Sequence, residues 1–342
     1  MAVAGIISYR LAGTDGVSIE ATKWAWAFRQ LGWEVRMIAG SGPPGVITIP
    51  GLDLGATEPV DEAALEAALK NCDLVVVENL CSLPLNPAAG TAVAHLLRGQ
   101  PAILRHHDLP WQRPDTAHLG PPPDDPAWRH VTINQLNRSE LAEHGIVAAC
   151  LMNRFDMVPP AGDRARTRAA LDIAPNERLV LQPTRAIPRK NVPAGLRFAE
   201  QIGGTFWLTG AVEDDYQDEF DRLVQNASIP VLHGPGPGSI DDAYGASDVV
   251  VLPSTREGFG NPAIEAVTHR RPLVLGPYPV AQELLSTGLV AFGLDDADPL
   301  RLWLDHRDDQ LLEHNLDVAR AHFDLADLPR EIEGLLESLG LA

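Results

Sequence analysis

The apolar run Asp248-Val249-Val250-Val251-Leu252-Pro253 leads directly into Arg256-Glu257-Gly258-Phe259-Gly260-Asn261-Pro262-Ala263-Ile264-Glu265, and this stretch restricts the possible folds of the chain more than any other. A valine-rich run closed by Pro253-Ser254 has the character of a strand buried on both faces, as in parallel sheets. Asn261 suits an N-cap and Pro262 the first helical position, so a helix is expected from there to about Arg270, ahead of Pro272. The unit is therefore strand, glycine loop, helix. Gly258 and Gly260 allow a ligand close to the backbone, and the open N–H groups of a helix start attract negative charge. Glu257 stands in the loop mouth and Glu265 in the first turns of the helix, so both can face one ligand and accept from its hydroxyls. Acids at a helix start also serve simply to cap and solvate it, and the residues alone leave both roles open.

The same alternation continues through the chain. Strand-like segments at 2–7, 33–38, 73–77, 101–105 and 130–133 are separated by helical patterns at 19–31, 60–70 and 87–98, which implies parallel βαβ units. A second series follows, with strands at 178–183, 206–209, 231–233, 248–253 and 273–276. With 342 residues the chain suits two α/β domains of roughly 150 residues each. The expected division is an N-terminal Rossmann-like domain over 1–156, a polar, proline-bearing linker and first helix over 157–175, and a C-terminal Rossmann-like domain over 176–342 that includes the last helices.

Composition narrows the partners. A formal net charge of −19 argues against nucleic acid and against an anionic membrane surface. Cys72, Cys81 and Cys150 are odd in number, far apart and without metal spacing, which fits a reduced, cytoplasmic setting. No stretch approaches the roughly 20 apolar residues of a membrane span, so no integral membrane association is expected. Asp296-Ala297-Asp298 has the letters of a metal-binding Asp-x-Asp, but in so acidic a chain it reads as a solvated loop, and no metal site is expected.

Other strand ends carry chemistry-bearing residues. Gly13 and Gly16 lie between the first strand and an amphipathic helix, either as a ligand loop or as a plain tight turn. His106-His107-Asp108 follows the strand at 101–105, and adjacent histidines of an extended segment point apart, so they do not share a metal. The loop from Asp115 to Ala127, with Pro121-Pro122-Pro123, is a candidate border for an acceptor. Arg185, Arg189 and Lys190 gather in the loop Thr184-Arg185-Ala186-Ile187-Pro188-Arg189-Lys190-Asn191, either as a phosphate site or as a solvated basic turn. Gly234-Pro235-Gly236-Pro237-Gly238 offers backbone rather than side chains.

The string Glu257-Gly258-Phe259-Gly260-Asn261-Pro262-Ala263-Ile264-Glu265-Ala266 resembles the Glu-Gly-Phe-Gly-x-Pro-x-x-Glu-Ala signature of retaining GT-B glycosyltransferases, particularly glycosyltransferase family 4. Arg185 and Lys190 fall on that family's Arg, four residues, Lys. The resemblance implies an α/β GT-B fold, two Rossmann-like domains facing a central cleft. It implies an enzyme that moves a sugar from a nucleotide-diphosphate sugar to a soluble hydroxyl acceptor, with retention, and without a metal or other cofactor. Arg185, Lys190 and the amides of Phe259, Gly260 and Asn261 would hold the diphosphate. Glu265 would take the ribose, Glu257 the sugar hydroxyls, and the Gly234–Gly238 loop the base. Gly13 and Gly16 would line the cleft, and His107, with His106 as fallback, would meet the donor sugar. Tyr278-Pro279-Val280-Ala281-Gln282-Glu283 departs from the family's glycine pair before an acid. A non-hydrolysing nucleotide-sugar epimerase and a non-catalytic nucleotide-sugar binding protein are the alternatives.

Overall fold

The computed structural model describes residues 1–341 apart from Ala12, Thr14, Pro84, Pro114 and Asp115. Two compact units emerge, one of residues 1–154 with 325–342 and one of residues 155–324. Ala12 and Thr14 of the expected first glycine loop, and Asp115 of the proline-rich loop, lie outside the described residues.

The first unit is built on a parallel sheet of β1 (Val3–Arg10), β2 (Glu34–Ser41), β3 (Ile47–Thr48), β4 (Leu74–Glu78), β5 (Ala102–His106), β6 (Trp128–Thr132) and β7 (Ala148–Cys150). Their order is β3-β2-β1-β4-β5-β6-β7, so the direction of winding reverses between β1 and β4. Both faces are covered, which is why the strands read as continuous apolar runs. Successive residues of β4 go to opposite sides. Val75 and Val77 join Ile7, Leu65 and Val93 on one face. Leu74 and Val76 join Ile6, Trp24 and Phe28 on the other.

Leu328, Ile332, Leu335 and Leu336 also belong to that second cluster. They come from the last helix, Leu328–Leu339, which packs beside the helix Gly16–Gln30. This corrects the expected division: the final helix completes the first unit instead of the second, because its apolar stripe covers a sheet face that one helix leaves open. The boundary also falls at 154/155, and the helix Arg164–Ala170 is the first of the second unit.

The second unit holds β8 (Leu179–Gln182), β9 (Thr205–Leu208), β10 (Val231–His233), β11 (Val249–Leu252), β12 (Leu273–Leu275) and β13 (Phe292–Gly293), parallel and in the order β10-β9-β8-β11-β12-β13. Winding reverses between β8 and β11. Val180, Phe206, Val249, Val251 and Val274 pack against Leu196, Phe198 and Ile202 of the helix Val192–Ile202. The helices Ile240–Ala246 and Asn261–Thr268 also contact the sheet. The unit's two ends are tied together: Phe155 N–H donates to Phe323 O at 2.7 Å, and Phe155 forms a parallel bridge with Asp324. Among the described residues no helix is long and apolar enough to cross a membrane.

Candidate functional site

In open α/β sheets ligands bind beyond the carboxyl ends of the strands, at the point where winding reverses. In the second unit that point is flanked by the loop after β8, which carries Arg185, Arg189 and Lys190, and by the loop after β11, which carries Glu257 to Gly260. The two loops are stitched by backbone. Thr255 N–H donates to Arg189 O at 2.9 Å, and Asn191 Nδ2 donates to Pro253 O at 3.2 Å.

Glu257 is the centre of the resulting cluster, with a side chain only 7% exposed. Lys190 Nζ and Ser254 Oγ both donate to its Oε1, the latter at 2.5 Å. Arg189 Nη1 donates to Oε2 at 3.1 Å and to Arg256 O at 3.1 Å. Burial alone would raise the Glu257 carboxyl, but the charges of Lys190 and Arg189 and the bonds from Lys190 and Ser254 hold it below its ordinary value. Burial draws the Lys190 ammonium down, against the pull of Glu257. The carboxylate thus organises two cations, and its oxygens are engaged by protein groups. Arg189, one of the three loop cations though outside the family's Arg and Lys pair, is one of them.

Arg185 is placed differently from Lys190. Its side chain is 51% exposed and pairs with Glu213. Lys190 sits in a short 3₁₀ turn, Pro188–Lys190, and is 11% exposed.

The helix after β11 runs Asn261–Thr268 and its N-cap is Gly260, one residue earlier than expected. The shift has a steric cause. Gly260 adopts φ +97°, which a side chain disfavours, and a β-carbon there would lie 2.4 Å from Tyr278 Oη. Tyr278 is fully buried under this turn, and its hydroxyl has no hydrogen-bond partner among the described residues. The Phe259 side chain faces inward, its ring 6.0 Å from those of Phe155 and Phe323, so this position offers a ligand its backbone. Asn261 supplies the first helical amide instead of the cap.

Glu265 meets a second helix of the same unit. Tyr244 Oη donates to Glu265 Oε2 at 2.6 Å, and the Tyr244 ring stacks on His269 at 4.6 Å. The expected base loop is shaped by Trp207, whose Nε1 donates to Gly234 O at 3.0 Å and whose ring lies where a β-carbon on Gly236 would be. Asp296 and Asp298 do not converge: Asp296 Oδ2 accepts from Gly293 N–H at 2.7 Å, and Asp298 pairs with Arg301.

In the first unit, Asp15 caps the helix Gly16–Gln30 and accepts from the amides of Val17 and Ser18 at 3.1 Å each. Its carboxylate already occupies part of the anion-seeking helix start, while Gly13 and Gly16 themselves are exposed. His107 is 5% exposed, and its Nε2 lies 2.7 Å from Glu78 Oε2, at the end of β4. Glu78 is also held by Arg105 Nη1 at 2.7 Å, and the Arg105 guanidinium lies 4.2 Å from the Trp24 ring centroid. His106 is fully buried, with Nδ1 2.6 Å from Ser82 Oγ and Nε2 2.8 Å from His130 Nδ1. Both His106 nitrogens are therefore engaged within the unit.

Sequence reading missed Ser254, Tyr244 and Glu78. A serine three residues before Glu257 was an available signal. Tyr244 and Glu78 act across elements and gave none.

Residues 163–299 match the family described as glycosyl transferases group 1. Mannosylglucosylglycerate synthase of Thermotoga maritima is 27% identical over 94% of this chain and 97% of its own. D-inositol 3-phosphate glycosyltransferase of Nocardia farcinica is 31% identical over 56% of this chain and 48% of its own. Among solved structures, Anabaena HepE in complex with UDP-glucose superposes with a TM-score of 0.78 at 16% identity, covering 98% of this chain and 99% of that one. The fold is that of GT-B glycosyltransferases.

Proposed function

We propose, for a chain whose residues 163–299 form a glycosyl transferases group 1 domain, that it moves a sugar from a nucleotide-diphosphate sugar to a hydroxyl of a small polar acceptor, with retention and without a resident metal. The observation that carries this reading is the cluster of Lys190 and Arg189 around Glu257 at the winding reversal of the second sheet.

The bond from the anomeric carbon to the diphosphate breaks, a bond to the acceptor oxygen forms, and the acceptor's proton passes to the departing phosphate. Negative charge grows on that phosphate, and preorganised donors aimed at it lower the barrier. Lys190 and Arg189, held in place by Glu257, supply two such donors, and the amides from Gly260 into the helix Asn261–Thr268 supply more. Arg185 is a more exposed third cation that has to leave Glu213 to take part. Glu265 accepts from the ribose hydroxyls. The side-chain cations support transfer without a metal, and the Glu257 to Glu265 signature supports retention. His107 is read as acting in transfer, not in nucleotide binding. The names of the Thermotoga and Nocardia relatives support a small, hydroxyl-rich acceptor.

Incubating the full chain with single nucleotide sugars and polyol or sugar-acid acceptors in EDTA, with NMR of the product's anomeric proton, tests this. Retained-configuration product is expected. Conversion of the donor sugar without an acceptor would instead indicate an epimerase, and activity restored only by magnesium or manganese would remove the metal-independent step.

A further inference from the structure

Glu265 lies in the second turn of the helix Asn261–Thr268, where a glutamate ordinarily samples several rotamers. Here it does not stand alone. Tyr244, on the helix Ile240–Ala246, is fully buried and donates its hydroxyl to Glu265 Oε2 at 2.6 Å. The tyrosine is itself held: His269 stacks on its ring at 4.6 Å with planes 17° apart. His269 is in turn fixed at both nitrogens, by Glu265 O at 2.7 Å and by Asp241 Oδ1 at 3.0 Å. A chain of contacts from Asp241 through His269 and Tyr244 therefore ends on one oxygen of the carboxylate.

Burial first, and then the charges of Glu265 and Asp241, hold the Tyr244 hydroxyl well above its ordinary value, so it remains a donor across the working pH range. A donor on Oε2 fixes the plane of the carboxylate, which decides how it meets a pair of neighbouring hydroxyls. A site built to bond a hydroxyl rejects the analogue that lacks it, because the acceptor is left with a lost partner.

We propose that Tyr244 is a positioning residue that sets selectivity for the nucleotide's ribose, by anchoring Glu265 so that its carboxylate engages the 2′- and 3′-hydroxyls together. The inference rests on the reading that Glu265 binds the ribose.

Calorimetric titration of the full chain with UDP, GDP and ADP, each beside its 2′-deoxy form, tests it in wild type, Tyr244→Phe and Glu265→Gln. Wild type is expected to prefer the ribonucleotide by roughly 10- to 100-fold, the worth of a hydrogen bond to a charged group. Tyr244→Phe should lose most of that ratio by weakening the ribonucleotide more than the 2′-deoxy form, which keeps only its 3′-hydroxyl. Glu265→Gln, with Tyr244 in place, should collapse the same ratio, which gives an independent readout if the tyrosine variant folds poorly. A general loss of stability would weaken both forms equally. A wild-type ratio retained in Tyr244→Phe but lost in Glu265→Gln overturns the role of Tyr244 and leaves the Glu265 reading intact. No preference in wild type overturns the Glu265 reading, and this inference with it.

Discussion

Glu257 is one side chain with three donors on it, and its ionisation is tied to the stability of the fold. Its carboxyl is held below its ordinary value in the folded chain. The unfolded chain therefore binds the extra proton first as pH falls. The stabilisation is present in full above the unfolded value of about 4.3 and is lost as pH drops through the lower, folded value. Glu257→Gln should flatten the acid side of the melting profile between pH 6 and 3. At pH 7 it should cost about 3 kcal/mol, since Lys190 then lies buried without its counter-charge. Thermal melts of both proteins across that range check it, and parallel profiles would show that the cluster does not act as a unit. The importance of Glu257 was legible from the signature, but its partners were not. Arg189 and Lys190 are neighbours in sequence whose convergence on one carboxylate depends on the 3₁₀ turn Pro188–Lys190. Tyr244 reaches Glu265 only because two helices meet.

At the scale of elements, the long buried strands were readable because both faces are covered and the apolar run is unbroken, as in β4 and β11. The edge strands β3 and β13, two residues each, and β7 at the first sheet's other edge were not read from the sequence. The segments of β5 and β6 were likewise visible, but not their pairing or what it does to their histidines. His106 and His130 stack at 5.1 Å, and Asp124 holds the outer ring at 3.0 Å. Burial, then His130 and His107, push His106 well below its ordinary value, and burial lowers His130 despite Asp124. The unfolded chain thus takes up protons below about pH 6.5 that the folded chain refuses, and stability falls from there at up to about 1.4 kcal/mol per pH unit for each histidine. His106→Gln should lose less stability than wild type between pH 7.5 and 5.5. Chemical denaturation at several pH values measures the difference, and equal slopes would contradict it.

At the scale of the whole molecule, the count of two Rossmann-like units followed from length and alternation, whereas the placement of the last helix did not. An amphipathic helix declares that it has an apolar stripe but not which sheet the stripe will cover, so the assignment of Leu328–Leu339 waited on the structure. The second unit is an insertion whose ends meet at Phe155 and Asp324. Arg185, Arg189, Lys190 and both signature glutamates belong to it, and His107 to the other. Nucleotide binding and sugar transfer should accordingly respond to different substitutions. The most direct test is calorimetric titration of nucleoside diphosphate into the full chain in EDTA, for wild type, His107→Ala and Lys190→Ala. Wild type should bind, His107→Ala should match it, and Lys190→Ala should bind roughly 10- to 100-fold more weakly, the worth of a charge-assisted bond. Undiminished binding by Lys190→Ala would contradict the account at its centre.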